Sequence, residues 1–445
     1  MNVVLRYCAG CRHADEIAAC VEAGLRDGKL IPGQRLPAVR ALAAELALSP
    51  ATVAAAYRLL RLRGLAHGDG RRGTHLVARP AVAPPNDAGP LPAGISNVRD
   101  GNPDPALLPP LGPALAAVDP EPVLYGAPPA HGPLVALAAE QFRSDGIGGG
   151  HVGIGGGALD VVERTLQAHL RPGDRVAVED PGYPGVLDLV GALGLVAVPV
   201  AVDRAGPVPD ALVAALRAGT AAAVVTPRAH NPTGAALSAE RAGELRAVLR
   251  DLPQVLVIED DHAGPVAGAP YCSLAGCTER WAVVRSVSKW LGPDLRVALF
   301  CADEVTAARV EGRQRLGAGW VSGILQQVVA RRWAAPDTPA LLDRATATYA
   351  RRREALVDAL AAAGIEAPTP SGLNVWIPVP AEQPVLTALW EGGYAATAGE
   401  RFRIASASAV RITTARLDPA EAPAIAGVVA AALARPRAAA LTRTA

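Results

Sequence analysis

Between residues 78 and 93 the chain reads ARPAVAPPNDAGPLPA, with proline at 80, 84, 85, 90 and 92 and no apolar period. Proline lacks a backbone donor and fixes φ, so neither a helix nor an inner strand can run through this segment. A semi-extended spacer over 79–93 is expected. The stretches on either side, a head over 1–78 and a much longer body, must therefore each bury a core of their own. Composition alone does not separate a spacer whose reach repositions the head from a passive tether.

Charge divides at the same place. Residues 1–79 hold 12 Lys/Arg against 6 Asp/Glu and the rest hold 31 against 36, so a +6 head precedes a −5 body. A small basic head on an acidic body points to a polyanionic partner. Lysine usage is sharper still: Lys29 and Lys289 are the only two among 43 basic residues. A lysine kept in the body of such a chain is conspicuous, because arginine neither loses its proton near neutrality nor forms an imine.

Several classes fall away. Half of the residues are apolar, which excludes disorder for most of the length. No apolar run approaches the roughly 18 residues of a membrane span. The best candidate, Leu189 to Val202, contains Gly191, Gly194 and Pro199 and alternates like a buried strand. The N-terminus lacks a charged-then-apolar signal pattern, so a soluble cytoplasmic protein without a membrane partner is expected. Cys8-x-x-Cys11 followed by His13 is half of a zinc spacing, but no second pair completes it nearby. Cys8, Cys11, Cys20, Cys272, Cys277 and Cys301 are therefore expected as reduced thiols, with no metal.

Three helical patterns open the head. Ile17, Cys20, Val21 and Leu25 share one face, and Val39, Leu42, Ala43 and Leu46 another, in a segment that Pro37 starts. Ser49-Pro50 supplies an N-cap and a proline at the first helical position, and Val53, Ala56, Tyr57 and Leu60 then turn inward as far as Gly64. Leu65 to Val77 reads as two short strands around a Gly-rich turn carrying Arg71 and Arg72. This is the pattern of a winged helix-turn-helix, whose third helix would present Ser49 to Thr52 to base edges. Arg40 and Arg58 would meet phosphates, and Arg71 and Arg72 a neighbouring groove. Helical spacing alone serves a protein-docking module equally well.

The residues themselves decide. The stretch 28–75 resembles the GntR-type DNA-binding domain: Gly28-x-Leu30-x-Pro32-Gly33, Leu36-Pro37-x-x-Arg40-x-Leu42-Ala43, Ser49-x-x-Thr52-Val53 and a glycine-rich wing ending Gly73-Thr74. Ala38 stands where that family usually has serine, and Pro50-Ala51 where it often has arginine and a polar residue. The resemblance implies double-stranded operator DNA as a partner without naming the operator.

Across the body, apolar β-branched runs alternate with helical patterns. The runs are Arg175–Val178, Leu195–Val200, Ala222–Thr226, Val255–Glu259, Ala282–Ser286 and Val297–Cys301. Such alternation predicts an α/β layering with a mostly parallel sheet, whose chemistry sits at the carboxyl ends of the strands. Lys289 follows one of these ends, with Ser286 three residues earlier, and suits a Schiff base with an aldehyde cofactor. Glu259-Asp260-Asp261 ends another strand and reads either as a partner for a pyridinium nitrogen or as a solvated acidic turn. Asn231 can donate to a phenolate-type oxygen. Gly155-Gly156-Gly157-Ala158 precedes a helix from Leu159 to Leu170 and can cradle a phosphate. Tyr183 is either a ring-stacking residue or an ordinary turn tyrosine.

In this order and spacing the residues resemble the fold-type I pyridoxal 5′-phosphate (PLP) enzymes, the aspartate aminotransferase superfamily, from about Gly101 to Ala432. The resemblance implies a large PLP-binding domain over 94–310, a smaller C-terminal α+β subdomain over 311–435, and a tail over 436–445. It implies that Lys289 forms the Schiff base, Asp260 pairs with the pyridine nitrogen, Asn231 meets the ring hydroxyl and Tyr183 stacks on the ring. Gly156, Gly157, Ala158, Ser286 and Arg296 would hold the phosphate. Tyr125 would reach a partner subunit's site, and Arg411 would grip an effector carboxylate. Where regulators of this type usually read E-D-D-Y, this chain has His262 beside the cofactor. Asp261 replaces Asp260 as the pyridine partner if the strand end bulges.

Head, linker and body together resemble the MocR subfamily of transcription regulators, which are head-to-tail homodimers. The expected function is PLP-dependent, effector-responsive DNA binding, sensing an amino compound or a B6 vitamer with the body as sensor. The alternatives are an active aminotransferase with an appended head, and a DNA-binding protein whose body only dimerises.

Overall fold

The computed structural model describes residues 8, 10–31, 33–62, 65–68, 73–76, 91–119, 121 and 123–434. Among the described residues the head has three helices: α1 (Ala14–Arg26), α2 (Val39–Leu46) and α3 (Pro50–Leu62). The Glu16 carboxylate accepts from the backbone N–H groups of Arg12 at 2.6 Å and His13 at 3.3 Å, which satisfies donors at the start of α1. Ala47 takes a left-handed conformation (φ 54°) to end α2. Ahead of α3, the Ser49 hydroxyl accepts from Thr52 N–H at 3.1 Å, as an N-cap does. Ile17, Val21, Leu42, Ala43, Val53, Ala56, Tyr57 and Leu60, the residues chosen by helical spacing, are all buried. Cys20, Leu25, Val39 and Leu46 lie half-buried at the edge of the same core.

Strands β1 (Ala66–Gly68) and β2 (Thr74–Leu76) pair antiparallel, Ala66 opposite Leu76, and an Arg35–His75 bridge adds a third short edge. Helices plus hairpin give the winged helix-turn-helix expected. Arg71 and Arg72, linker residues 79–90 and the 436–445 tail lie outside the described residues.

An eight-stranded sheet forms the centre of the body. Its strands are β3 (His151–Gly155), β4 (Arg175–Asp180), β5 (Val196–Asp203), β6 (Gly206–Pro207), β7 (Thr220–Val225), β8 (Leu256–Asp261), β9 (Arg280–Ser286) and β10 (Ala298–Ala302). Their order is β3-β10-β9-β8-β7-β4-β5-β6. All six strands read from the sequence are present, and β3 and β6 are additions. The sheet is parallel through β7, β8 and β9, whereas β10 runs antiparallel to both β9 and β3. Parallel β7, β8 and β9 bring Thr226, Asp261 and Ser286 to one edge. Glu179, near the end of β4, joins them by accepting from Thr226 N–H at 3.1 Å.

Leu189 to Val202 is not one continuous strand. Pro184–Ala192 is a helix that buries Val186 and Val190 at helical spacing, and Gly194 (φ 69°) turns the chain into β5. The proline at the helix start and the positive-φ glycine outweigh the apparent alternation.

Helix α4 (Ala158–His169) follows β3 directly. Toward the C-terminus a second core forms between the antiparallel sheet β11 (Asn374–Pro378), β12 (Thr397–Ala398) and β13 (Ala409–Thr413) and the helices α5 (Thr338–Ala362), α6 (Glu382–Glu391) and α7 (Ala422–Ala434). Strand β13 lies centrally, which leaves Arg411 on an inner strand. Among the described residues no single helix is long and apolar enough to cross a membrane.

Tyr57 ties the head together, because its buried hydroxyl donates to Pro37 C=O at 2.8 Å and pins α3 to the entrance of α2. Tyr57→Phe leaves that carbonyl without its partner and should cost about 1–2 kcal/mol. Differential scanning calorimetry of the full chain should show a lower midpoint for the head's transition with the body's unchanged.

Candidate cofactor site and DNA-facing surface

The carboxyl ends of β8 and β9 bring two acids and the body's only lysine together, and the acids differ sharply. The β8–β9 ladder is regular from Arg280–Leu256 to Arg285–Asp261, with no bulge. Side chains at 260 and 261 therefore point to opposite faces. Asp261 accepts from Arg228 Nε and Nη2 at 2.9 and 2.8 Å and from Arg285 Nε at 3.1 Å. Burial pushes its carboxyl up, but Arg228 and then Arg285 hold it below the ordinary range. Asp260 is also buried, and among the described residues its Oδ1 has no hydrogen-bond partner. Burial, then the charges of Asp261 and Glu179, push its carboxyl from 3.8 up to about 7, against the pull of Lys289. The vacant acceptor is thus Asp260 Oδ1, which is placed to meet an N–H that no described residue supplies.

Lys289 lies three residues beyond β9 and donates to Gly101 C=O at 2.6 Å. Burial, then the charge of Arg411, lower its ammonium from 10.5 to about 8. An amine so poised spends part of its time neutral and nucleophilic near neutrality. His262 follows Asp261, and burial, then Lys289, lower its imidazole to about 4. It is therefore a neutral hydrogen-bonding group at physiological pH, not a second cation.

Asn231 is held from the other side. Its Oδ1 accepts from Arg411 Nη1 at 3.0 Å, which orients the amide and leaves its NH₂ to donate elsewhere. Arg411 is buried, donates through Nη2 to Arg99 C=O, and lies 4.8 Å above the Phe402 ring. Burial lowers its guanidinium to about 10, and its Nε has no partner among the described residues. Tyr183 follows β4 with its ring close against Gly185, where a Cβ would come within 2.6 Å of it.

The phosphate-type cradle is narrower than the sequence suggests. Gly157 has φ 122°, and a Cβ on it would sit 2.4 Å from Arg296 Nη2. Only glycine lets that guanidinium close over the start of α4. Arg296 Nη2 also donates to Gly156 C=O at 3.2 Å. The Gly156 N–H, however, is taken by Asp160 Oδ2 at 2.9 Å, so the donors left for an anion are those of Gly157 and Ala158 at the helix start. Ser286 Oγ donates to Ser288 Oγ at 2.8 Å. Tyr125 does not join this buried group. It is 93% exposed and meets Trp320 edge-on at 5.5 Å.

An unpartnered buried carboxylate, a lysine of lowered basicity, an oriented amide and a glycine-arginine cradle fit the ring nitrogen, aldehyde, ring hydroxyl and phosphate of PLP respectively. Four further residues of the site were not legible in the sequence. His230 Nε2 lies 3.2 Å from Glu179 Oε2, and its Nδ1 is 2.7 Å from Thr233 Oγ1. Asp180 accepts from the N–H groups of Ile404, Ala405 and Ser406 and from the Ser406 hydroxyl, at 2.7–2.9 Å. The Arg99 and Gly101 carbonyls complete the set. His230 adjoins Asn231 and Asp180 ends a strand, which were the available signals, but their partners lie far away in sequence.

On the head, Arg40 and Arg58 are exposed and Ser49 is exposed at the start of α3, with its Oγ 2.8 Å from Thr52 Oγ1. A helix N-terminus bearing two hydroxyls, flanked by exposed arginines, suits a groove lined by phosphates.

Comparison with known proteins agrees with both halves. Residues 150–429 match the family described as aminotransferase class I and II, and residues 13–76 match bacterial regulatory proteins of the gntR family. The chain is 39% identical to the vitamin B6 salvage pathway transcriptional repressor PtsJ of Salmonella typhimurium, covering 92% of this chain and 95% of that one. It is 28% identical to the HTH-type pyridoxine biosynthesis transcriptional regulator PdxR of Corynebacterium glutamicum, covering 75% of each. In fold, the body resembles LysN, the α-aminoadipate aminotransferase of Thermus thermophilus complexed with N-(5′-phosphopyridoxyl)-L-leucine. That likeness has a TM-score of 0.68 at 22% identity and covers 77% of this chain and 92% of that one.

Two groups in the site give the cofactor-free protein opposite pH dependences. Asp260 titrates at about 7 folded against 3.8 unfolded, so its stabilising proton is lost as pH rises through about 7. His262 titrates at about 4 folded against 6.5 unfolded, so its contribution is present above 6.5 and lost as pH falls through about 4. The two oppose each other across this window. Relative to wild type, the stability of Asp260→Asn should rise with pH and that of His262→Gln should fall. Thermal unfolding of cofactor-free protein from about pH 4 to 7 checks this, and three parallel curves would contradict it.

Proposed function

Since the chain belongs to the MocR-type transcription regulators, we propose that it senses PLP itself, taken up at Lys289. PLP is the cofactor of its body and DNA the partner of its head. The observation that carries the reading is the buried Asp260 carboxylate, whose Oδ1 has no partner among the described residues and which feels the charge of the body's only lysine. A sensor of an unrelated ligand has no use for that arrangement, since an unpaired buried carboxylate costs stability until something donates to it. The names of the Salmonella and Corynebacterium relatives, one from B6 salvage and one from pyridoxine biosynthesis, support B6 supply as the quantity sensed.

When bound, the cofactor supplies an aldehyde carbon that condenses with a primary amine. The chain does the rest. Lys289 gives up its proton readily because burial and Arg411 disfavour its charge. Asp260 would accept from the ring N–H, a contact that would favour its anionic form. Asn231, oriented by Arg411, would donate to the ring oxygen, while Arg296, Gly157, Ala158 and Ser286 would hold the phosphate. Tyr183 would cover one ring face, and His262 stands as a neutral donor or acceptor where related regulators carry a phenol.

The head presents Ser49 and Thr52 to base edges and Arg40 and Arg58 to phosphates, so DNA binding should weaken steeply with salt. Val123, Leu124 and Tyr125 form an exposed apolar run, 54%, 73% and 93% accessible, of the kind that a second copy of the chain covers in a head-to-tail homodimer. Effector uptake changes operator affinity only through different affinities of the effector for the two DNA-binding arrangements.

A second reading, an amino-acid effector gripped by Arg411, draws on the unpartnered Nε of that buried guanidinium. Operator titrations separate the two. With PLP as effector, adding it to cofactor-free wild type should shift operator affinity by about 5–150-fold, the ordinary range of allosteric coupling. Lys289→Ala should bind operator yet lose most of that shift. Arg411→Ala, which frees the Asn231 amide, should need several-fold more PLP and still respond. A wild type indifferent to PLP but responsive to amino acids, with the response abolished in Arg411→Ala, would overturn the proposal.

A further inference from the structure

The head holds a chemistry that neither DNA nor cofactor binding uses. Three of the six cysteines, Cys8, Cys11 and Cys20, lie together at the N-terminal end of its core. The Cys11 thiol donates to the Cys20 sulfur at 3.4 Å. Cys8 is fully buried and Cys11 nearly so, whereas Cys20, on α1, is partly open to solvent. Among the described residues, no three His, Cys, Asp or Glu side chains are placed to hold a metal. A pair of thiols in contact, one reachable and one behind it, is instead the geometry of a two-electron oxidation.

We propose that Cys11 and Cys20 form an oxidation site for a small hydroperoxide, which converts them to a disulfide and weakens operator binding. Cys20, the more exposed, meets the peroxide first. Its sulfur attacks the O–O bond, takes one oxygen as Cys20–S–OH, and releases the other as water or an alcohol. The Cys11 sulfur then attacks the Cys20 sulfur, the S–OH bond breaks, and a second water leaves with the Cys11 proton. Two thiols lose two electrons, and one peroxide bond is reduced. Burial and contact with Cys20 push the Cys11 thiol up to about 12. That keeps it unreactive toward bulk reagents, and its resolving attack is favoured instead by contact, because the Cys20 sulfur already lies 3.4 Å away.

The consequence for DNA follows from packing. A disulfide holds its sulfurs about 2.05 Å apart, so the 3.4 Å pair must close by over 1 Å. Cys11 and Cys8 are packed in one core with Ile17 and Ala18 of α1 and with Val53 and Tyr57 of α3. A close-packed core does not absorb a shift of that size at one residue. It is passed to α1 and to α3, the helix that carries Thr52.

The test uses the full chain, loaded with PLP and treated with hydrogen peroxide. Peptide mapping without reductant should find Cys11 linked to Cys20, two hydrogens lighter than the separate thiols. Operator affinity should fall by about tenfold, comparable to losing one specific base contact, and a dithiol reductant should restore it. Cys20→Ser should keep its affinity through the same treatment. Serine is tolerated at that half-buried position, so this variant tests the site even if Cys11→Ser fails to fold. A peroxide-treated wild type with no Cys11–Cys20 link, a linked protein with unchanged operator affinity, or an equal loss in Cys20→Ser would each overturn the proposal. Absorbance of the bound cofactor, read in parallel, should be unchanged, so failure here is distinguishable from failure of the PLP reading.

Discussion

Asp261 is fully buried at the end of β8, its two oxygens taken by Arg228 at 2.9 and 2.8 Å and one of them also by Arg285 at 3.1 Å. Arg285 continues to Asp145 at 2.6 Å, and both guanidinium groups lie over the ring of Tyr271, at 5.1 and 4.6 Å. Breaking such a pair by removing one partner costs about 3–5 kcal/mol, because the other charge stays buried. The cluster occupies one face of the sheet end and uses up the arginines nearest to it. On the other face, among the described residues, Asp260 Oδ1 has no hydrogen-bond partner, and the charge of Lys289 is the cation that acts on its carboxyl. Through the charge of Asp261 the cluster also raises the Asp260 carboxyl, second to burial itself.

The same arrangement explains how much could be read in advance. The strand ends, Lys289, Asn231, the glycine turn and the helix-turn-helix faces were legible because each is a local pattern: a period, a cap, a composition bias. The choice between Asp260 and Asp261 was not, because it depends on whether the ladder stays regular and on where Arg228 and Arg285 arrive. Nor was the loss of the Gly156 N–H to Asp160, which requires knowing that a side chain within α4 turns back on its own N-terminus. Leu189 to Val202 misled for the converse reason: alternation is visible in sequence, but a proline-started helix with a glycine turn satisfies the same apolar residues.

Long-range ties account for the rest. Asp180 gathers four donors from residues 404–406, and Gly182 N–H donates to Phe402 C=O at 2.8 Å. Phe402 in turn lies under the Arg411 guanidinium that orients Asn231. The end of β4, the segment between β12 and β13 and the arginine on β13 therefore form one hydrogen-bonded and stacked unit around the site. Displacing that loop strips donors from a buried carboxylate, so the unit moves together or not at all. None of these partners lies within 200 residues of Asp180 in sequence, and no local signal announces them.

The scarcity of lysine makes the central claim unusually simple to test. Only Lys29 in the head and Lys289 in the body can hold an aldehyde through a side-chain amine. The purified protein, incubated with PLP, reduced with borohydride and digested, should carry the phosphopyridoxyl mass on the peptide containing Lys289 and on no other. An unmodified Lys289 peptide, or equal labelling of Lys29, would contradict the account.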